Sequence, residues 1–394
     1  MQAFTQWTPT EIIFGAGREN EVGKIISERG AKKVLLVYGE GSVVKTGLLG
    51  RVKEALAKES IAYAELGGVV PNPRLALAEK GVARAVEFGA ELILAIGGGS
   101  AIDTAKAIAH GTANPDKQIW DMWTGKETID KSLPIGCILT ISAAGSETSN
   151  SAVLTNEELG QKAGVNTPFN RPAFAIMNPE LTYTLPKFHI ACGIVDIMMH
   201  TLERYFLPNT KNEMTDEIAE GLLRTVIRNG RIAYHNPEDY DAMSEVMWCG
   251  SLSHNGITGL GRAMDFCVHK FGHALGAKFD KIHGAVLATM WGSWANYVYK
   301  EDPTRFKHYG EVVWGLNIED EDEAARAAIE CTVNYFKELE MPTNLIELLG
   351  APQEDAVLHE LAMNATANDT IRLCPLKPLN ASNVYEIYKL ANKQ

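Results

Sequence analysis

Four histidines and one aspartate in the second half of the chain have the spacing of metal ligands. Asp196 and His200 are four residues apart in a stretch of helical composition, which puts both side chains on one helix face. His269 and His273 repeat that spacing, and His283 follows ten residues later. A single histidine in an apolar helix is more often a hydrogen-bonded core residue than a ligand. The combined set nevertheless favours a metal site.

This set of donors indicates a particular chemistry. One carboxylate and three imidazoles form a mixed oxygen and nitrogen site that suits Zn²⁺ or Fe²⁺, and the order of metal affinities does not choose between them. With a single carboxylate the site keeps a net charge of about +1, which can polarise a substrate oxygen and stabilise an alkoxide. Such a site uses three of the four histidines, so one histidine remains for moving protons.

A glycine-rich loop adds a second chemical element. Gly97, Gly98, Gly99 and Ser100 follow an apolar run and precede a helical pattern. Glycines let a ligand approach the backbone closely, and a helix N-terminus offers unpaired N–H groups at its positive end, so we expect the loop to bind a pyrophosphate. It is neither a GxGxxG fingerprint nor a Walker loop. In the alternative interpretation, Ser100 and Asp103 form a variant capping box and the segment is only a well-capped helix.

Two further loops follow predicted strands. Gly39, Glu40, Gly41 and Ser42 would lie beside a ribose in a dinucleotide site, although an ordinary turn between strand and helix explains them equally well. The polar segment 140–150 ends a later strand, where ligands bind in open α/β sheets. A phosphate-binding loop combined with a Lewis-acidic metal indicates hydride transfer between a nicotinamide and an alcohol or aldehyde.

The elements that must position these residues change character near the middle of the chain. The first half alternates predicted strands, at 34–38, 91–96, 135–141 and 173–177, with helices at 48–58 and around 77–86, and this alternation predicts a parallel sheet. From about residue 185 only helices are predicted, at 214–232, 242–252, 263–275, 285–299 and 324–339. We expect an α/β dinucleotide-binding domain over 1–184 and an all-α metal-binding domain over 185–394. A hinge is expected at 178–186, with the ligand in the cleft between the domains.

Composition excludes several other classes of protein. The chain has 394 residues, 46% of them hydrophobic and 22% charged, and no repeat, as expected of an ordinary folded protein. Its 37 basic and 49 acidic residues give a net charge of −12, which disfavours nucleic-acid partners. Six scattered cysteines suit reduced thiols in the cytoplasm. Neither a secretion signal nor a membrane-spanning run is apparent, so we expect no membrane association.

In their order along the chain, these motifs resemble those of the iron-containing (group III) alcohol dehydrogenase family, in the branch of butanol dehydrogenases and aldehyde reductases. The shared segments are 71–73, 97–106, 145–147, 178–186, 196–203 and the histidine spacing from 269 to 283. The resemblance implies an N-terminal dinucleotide-binding α/β domain and a helical C-terminal domain, a fold shared with dehydroquinate synthase. It also implies a homodimer.

The resemblance assigns roles residue by residue. It implies that Asp196, His200, His269 and His283 bind the metal, and that His273 is a non-ligand histidine that assists proton relay near the nicotinamide. It further implies that the loop of Gly97, Gly98, Gly99 and Ser100 binds the pyrophosphate. Other cofactor contacts that it implies are made by Asp103, Thr140, Ser142 and Lys162.

Three positions depart from the family pattern. Members that prefer NAD often carry Asp at the position of Gly39, so its absence favours NADP, whereas the neighbouring Glu40 argues against a 2′-phosphate. On balance we expect NADP. The segment 142–146 differs slightly from the common form, and Asn178 stands where many relatives have Asp. Both departures concern the geometry of the cofactor and not the reaction.

The predicted function is that of a cytoplasmic, metal-dependent alcohol dehydrogenase. It would transfer hydride between NAD(P)H and small aldehydes or primary alcohols such as butanal. An alternative is a lyase of the dehydroquinate synthase type that uses NAD only transiently, and net consumption of NAD(P)H separates the two. A second alternative is a catalytically inactive nucleotide- or metal-binding protein.

Overall fold

The computed structural model describes residues 1–39, 41–208 and 211–393. Within it the chain forms two compact units. One consists of Trp7–Leu185 and Pro237–Ser251, and the other of Met1–Gln6, Pro186–Asn236 and Leu252–Gln394. We call them the α/β unit and the helical unit.

The α/β unit contains a six-stranded parallel sheet and a separate antiparallel hairpin. The sheet has the order β1-β8-β5-β4-β2-β3, and β6 and β7 form the hairpin. The strands are β1 Glu11–Phe14, β2 Lys33–Tyr38, β3 Ala62–Leu66, β4 Leu92–Gly97, β5 Ile135–Leu139, β6 Ser151–Asn156, β7 Gln161–Asn166 and β8 Phe174–Met177. The helices before residue 185 are α1 Val22–Glu28, α2 Ser42–Lys45, α3 Leu48–Lys58, α4 Leu75–Phe88, α5 Gly99–Ala113 and α6 Ile119–Trp123.

Burial on both faces explains why the central strands read as continuous apolar runs. Leu94 and Ile96 of β4 belong to a core shared with α1 and α3, while Ile93 and Ala95 of the same strand belong to a core shared with α4 and α5. Parallel strands are joined by crossover helices, which cover both faces of the sheet. A strand covered on both faces has no solvent-facing positions, so it lacks the alternation of polar and apolar residues that is common in antiparallel strands. The predicted parallel α/β architecture is confirmed.

The helical unit is built around helix α7, Lys187–Tyr205, most of which is buried. Residues 190–205 of α7 are all buried, so this helix forms the centre of its unit. The remaining helices after residue 185 are α8 Glu213–His235, α9 Tyr240–His254, α10 Cys267–Phe279, α11 His283–Val298, α12 Pro303–Trp314, α13 Glu321–Glu338, α14 Leu345–Leu349, α15 Asp355–Ala365 and α16 Ala381–Ala391, and α7 is Lys187–Tyr205. Among the residues described, none of the helices combines the length and apolar character that crossing a membrane requires.

The two units differ from the predicted contiguous domains at two places. Most of α9 belongs to the α/β unit, because Met247 is buried in the core of that unit and Ser251 donates a hydrogen bond to Glu147 at 2.5 Å. The first six residues belong to the helical unit, where the N–H of Gln2 donates to the carbonyl of Gly261 at 2.8 Å. The positions of α9 and of the first six residues both depend on contacts between distant parts of the chain. Hydrophobic periodicity is a local property and does not predict such contacts.

Candidate functional site

The predicted metal ligands of the helical unit gather around one carboxylate oxygen. Oδ1 of Asp196 lies 3.6 Å from Nδ1 of His200, 3.5 Å from Nε2 of His269 and 3.8 Å from Nε2 of His283. Asp196 and His200 face the same side of α7, His269 lies on α10, and His283 is the first residue of α11. The structure therefore brings together residues that are up to 87 positions apart in the chain.

The bonding state of these atoms fits a metal ion. Asp196 Oδ1, His200 Nδ1 and His269 Nε2 are buried, have no hydrogen-bond partner, and lie within 4.8 Å of one another. An unpaired buried polar atom is costly, and three that converge on one point are explained if they share a cation. Carboxylate oxygen and imidazole nitrogen are the donors that Zn²⁺ and Fe²⁺ bind.

The electrostatics of the histidines also suit a cation. Burial and the neighbouring histidines lower the pKa of His200 well below its usual value, so its imidazole is neutral, the form that binds metals. Burial opposes a charge on His269 as well, but Glu203 and Asp196 outweigh it and raise the pKa of His269 to about 9. The negative potential that retains a proton there would equally attract a metal ion.

A glycine explains how His283 reaches the cluster. A Cβ atom at Gly284 would lie 2.2 Å from the carbonyl oxygen of Cys192 and 2.6 Å from its Cα. Only glycine lets the start of α11 approach α7 this closely. Since Cys192 is one turn before Asp196 on α7, the close contact places His283 beside the carboxylate.

Glu203, for which no role was predicted, contacts His269 of the cluster. Its carboxylate accepts hydrogen bonds from the backbone N–H of Val268 at 2.5 Å and of His269 at 3.3 Å, and it pairs with Nδ1 of His269. It thus caps α10, which explains why this helix begins at Cys267 and not at Ala263 as predicted, and it orients His269 through the ring nitrogen opposite the cluster. The signal was present, because Glu203 follows His200 by three residues on the same helix face.

Two further side chains near His200 were not predicted. The ring of His254 lies 4.0 Å from that of His200, centroid to centroid. Arg204 contacts Nδ1 of His254 at 3.1 Å and donates to the carbonyl of His200 at 2.7 Å. His273, the predicted proton-relay residue, lies farther from the cluster, with its ring 5.6 Å from that of His283 and 6.4 Å from that of His269. Its role as a non-ligand histidine for proton relay stays a prediction.

In the α/β unit, the glycine loop joins β4 to α5. Gly98 is the N-cap of α5 without any side-chain cap, and among the described residues no backbone carbonyl accepts from the N–H groups of Gly99 and Ser100. A Cβ at Gly98 would lie 2.0 Å from Cγ2 of Ile141, so the loop also needs glycine to pack against the end of the next strand. The exposed N–H groups fit a phosphate.

The capping-box interpretation of this loop is wrong. Ser100 lies inside α5, where its carbonyl accepts from the hydroxyl of Thr104 at 2.8 Å. Asp103 does not reach back to the helix start, because its carboxylate accepts from the hydroxyl of Ser146 at 2.6 Å and from the N–H of Val153 at 2.9 Å.

Three of the other predicted cofactor residues, Ser42, Thr140 and Ser142, follow the carboxyl ends of β2 and β5, whereas Lys162 lies near the start of β7. Ser42 and Thr140 line the same cavity of about 170 Å³. Ser142 is buried, and its hydroxyl has no hydrogen-bond partner. Lys162, on β7, donates at 3.1 Å to Asn72, which gives the motif at 71–73 a structural role. A buried hydroxyl without a protein partner is unusual, and a hydrogen bond to a bound ligand would satisfy it.

The second glycine loop is only partly described. Gly41 is the N-cap of the short helix α2, and Glu40 lies outside the described residues. A Cβ at Gly39 would lie 3.1 Å from the carbonyl oxygen of Val69, so local packing alone gives a reason for glycine at this position.

The presence of Asn at position 178, where many relatives have Asp, has a physical explanation. Asn178 and Glu19 line the cavity that Ser42 and Thr140 also line. Asn178 donates to Oε2 of Glu19 at 2.9 Å and accepts from the N–H of Glu180 at 3.0 Å. Glu19 is buried, and Arg51 lies 3.3 Å from its other oxygen. An aspartate at 178 would place two carboxylates in contact, whereas the amide of asparagine supplies the donor that Glu19 needs.

Comparison with known proteins gives consistent matches along the chain. A family model described as iron-containing alcohol dehydrogenase matches residues 9–179, and one described as the C-terminal domain of the Fe-containing alcohol dehydrogenase family matches residues 190–392. The chain is 40% identical to NADH-dependent butanol dehydrogenase A of Clostridium acetobutylicum over 391 residues, covering 99% of each chain. It is 37% identical to the NADPH-dependent aldehyde reductase YqhD of Escherichia coli, covering 88% of this chain and 89% of that one.

A solved structure gives the same result. The crystal structure of NADH-dependent butanol dehydrogenase A from Thermotoga maritima superimposes with a TM-score of 0.95 at 34% identity, covering 100% of this chain and 99% of that one. The predicted family, fold and enzyme class are confirmed. This chain belongs to the iron-containing alcohol dehydrogenase family, in its branch of butanol dehydrogenases and aldehyde reductases, and is a metal-dependent alcohol dehydrogenase.

Proposed function

We propose that this enzyme transfers hydride between NAD(P)H and small aldehydes or primary alcohols, acting mainly as a reductase of aldehydes such as butanal. The observation that carries the proposal is the group of three buried, unpaired donor atoms of Asp196, His200 and His269. A group of this kind is expected where a metal acts on a substrate oxygen and not where a protein only packs its core.

Asp196, His200, His269 and His283 would hold the metal. A divalent cation bound there supplies a Lewis acid for the oxygen of an aldehyde or alcohol. The protein's part is to keep the donors in place. Glu203 orients His269 from behind, as carboxylates do for metal-binding histidines in many proteins.

The residues of the α/β unit would bind the cofactor. The N–H groups of Gly99 and Ser100 would donate to its phosphates, and the hydroxyls of Thr140 and Ser142 would contact other parts of it. Lys162 adds a positive charge for an anionic ligand. A reduced nicotinamide supplies the hydride.

Proton delivery is assigned to His273. Imidazole is the side chain best suited to exchange protons near neutral pH, and this ring lies close to His283 without belonging to the tight group of donors. His273→Ala should therefore slow turnover while the metal remains bound, whereas His269→Ala should lose the metal. An inactive binding protein would show no effect of the first substitution on any measured rate.

The choice of nucleotide is also a proposal. Relatives of similar identity are named as NADH-dependent in Clostridium acetobutylicum and as NADPH-dependent in Escherichia coli, so the names alone do not decide. We favour NADP because Gly39 provides no carboxylate to repel a 2′-phosphate. A kcat/KM higher with NADH than with NADPH would contradict this choice.

One experiment tests the function itself. Purified protein is loaded with Fe²⁺ or with Zn²⁺, its metal content is measured, and oxidation of NADH and of NADPH is followed with aldehydes of two to six carbons. We expect stoichiometric consumption of NAD(P)H on addition of butanal, and the more active metal identifies the better cofactor. Absence of turnover with both metals across the aldehyde series would refute the proposal. Turnover of another substrate without net consumption of NAD(P)H would favour the lyase alternative.

We further propose that the enzyme is a cytoplasmic homodimer. The six cysteines are all free thiols in the structure, which suits a reducing compartment. Light scattering coupled to size-exclusion chromatography measures the mass, and a monomeric mass at assay concentration would contradict the dimer.

A further inference from the structure

Lys106 has its amino group in a place without access to solvent. The side chain lies on α5, two turns from the glycine loop, and is 0% exposed. Its Nζ donates to the carbonyl and the hydroxyl of Ser146, both at 2.8 Å, and to the carbonyl of Ser151 at 2.7 Å. The carbonyl of Ser149 lies at 3.5 Å. One amino group thus contacts Ser146 and Ser149 of the loop before β6 and Ser151, the first residue of that strand.

Asp103 binds the same loop from one turn earlier on α5. Its Oδ1 accepts from the hydroxyl of Ser146 at 2.6 Å, and its Oδ2 accepts from the N–H of Val153 at 2.9 Å. Its Oδ1 also lies 3.8 Å from Nζ of Lys106. The two side chains therefore hold both ends of the segment 146–153, which consists of the loop before β6 and the first three residues of that strand, and the hydroxyl of Ser146 links them.

Such an arrangement is a poor way to gain stability alone. Removing charged groups from water is costly, and apolar residues of similar volume often stabilise a fold as well or better. A buried ionic pair is better explained where it selects one geometry of a loop. Since Lys106 is fully buried, it cannot touch a cofactor and can act only through the loop that it holds.

We propose that Asp103 and Lys106 are positioning residues that hold the segment 146–153 against α5 for cofactor binding. The segment directly continues the loop that carries Thr140 and Ser142, and α5 carries the N–H groups that would bind the phosphates. Fixing one against the other fixes the distance between the two sets of cofactor contacts. Asp103 then acts on the cofactor indirectly and not as the direct contact that the resemblance implied. This inference rests on the proposed cofactor site.

The test compares three variants of the metal-loaded enzyme. Lys106→Met removes the charge and keeps most of the side-chain length, and Ser146→Ala removes the hydroxyl shared by both positioning residues. Lys117→Met is the matched control, because Lys117 also anchors a loop, through the carbonyl of Thr128 and the carboxylate of Asp130, but away from the predicted cofactor contacts. The measurements are the Kd of NAD(P)H by fluorescence titration, KM and kcat, metal content and thermal midpoint.

We expect Lys106→Met to raise the Kd and KM for NAD(P)H about tenfold or more, since displacement of binding groups by about 1 Å has effects of that size or larger. Metal content should not change, and the control should match the wild type. Ser146→Ala should raise both constants by a smaller factor. A lower thermal midpoint with unchanged Kd and KM in Lys106→Met would show a merely structural role and overturn the proposal.

Two other outcomes are also decisive. If Lys106→Met does not fold, Ser146→Ala decides by the same criteria, and an unchanged Kd for NAD(P)H in that variant overturns the proposal. If the wild type itself does not bind NAD(P)H, the proposed cofactor site fails and this inference fails with it. Wild-type binding together with unaffected variants refutes only the positioning role.

Discussion

The contact between Gly284 and α7 gives the most direct prediction about the metal centre. In Gly284→Ala the new methyl carbon would lie 2.2 Å from the carbonyl oxygen of Cys192. A carbon and a carbonyl oxygen in contact are normally about 3.3 Å apart, so the start of α11 must move away by about 1 Å. The methyl group would meet backbone atoms of Cys192, which lies in the buried part of α7. Unlike a side chain, this backbone cannot change its conformation to make room.

That displacement acts on His283, the residue next to it. Metal–ligand distances tolerate deviations of only about 0.2 Å, so a shift of about 1 Å removes His283 from its place beside Asp196. We expect metal affinity to fall by about tenfold to a hundredfold, the usual effect of disturbing the groups that orient a ligand. Overpacking should also destabilise the helical unit by about 1–3 kcal/mol.

Chelator competition followed by measurement of bound metal gives the affinity. Gly292→Ala is the matched control, because it adds the same methyl group to the same helix. There the methyl carbon would meet a side-chain atom of Val333 at 2.8 Å, and a side chain can adjust. Wild-type metal affinity in Gly284→Ala, or an equal loss in both variants, would refute the reasoning.

Three further predictions follow from single contacts. Glu203→Gln keeps the size of the side chain but cannot accept all three hydrogen bonds from α10, so chelator competition should show metal affinity about tenfold to a hundredfold lower, with helix content by circular dichroism unchanged. Asn178→Asp should destabilise the protein by about 1–3 kcal/mol at pH 7.5, because the new carboxylate faces that of Glu19. The destabilisation should be smaller at pH 5, where the pair of carboxylates takes up a proton. Equal urea midpoints for variant and wild type at pH 7.5 would contradict this. Burial lowers the pKa of His110 to about 4, so His110 takes up a proton in the unfolded state at a higher pH than in the folded state. We therefore expect the folded state to lose about 3 kcal/mol of stability as the pH falls from about 6.5 to 4. An NMR titration that gives His110 an ordinary pKa would disprove this.

The parts of the fold that local sequence determined are those with strong periodicity. The central strands β2, β4, β5 and β8 were predicted because burial on both faces leaves continuous apolar runs. The strands β1 and β3 at the two edges of the sheet were missed, since each has four or five residues with partly exposed positions and lacks such a run. Helix α10 was predicted to begin four residues too early because its true start is capped by Glu203 of another helix.

The same division applies to the site. The sequence alone predicted the candidate ligands of a metal and of a phosphate, because spacing of four along a helix and glycines after a strand are local properties. Only the tertiary structure decided that α7, α10 and α11 bring three imidazole nitrogens to one carboxylate oxygen, that Glu203 orients His269, and that Lys106 is buried against a segment 40 residues away. The physical reason is that burial, unpaired polar atoms and contacts such as the one at Gly284 arise between distant segments. No property of either segment alone records them.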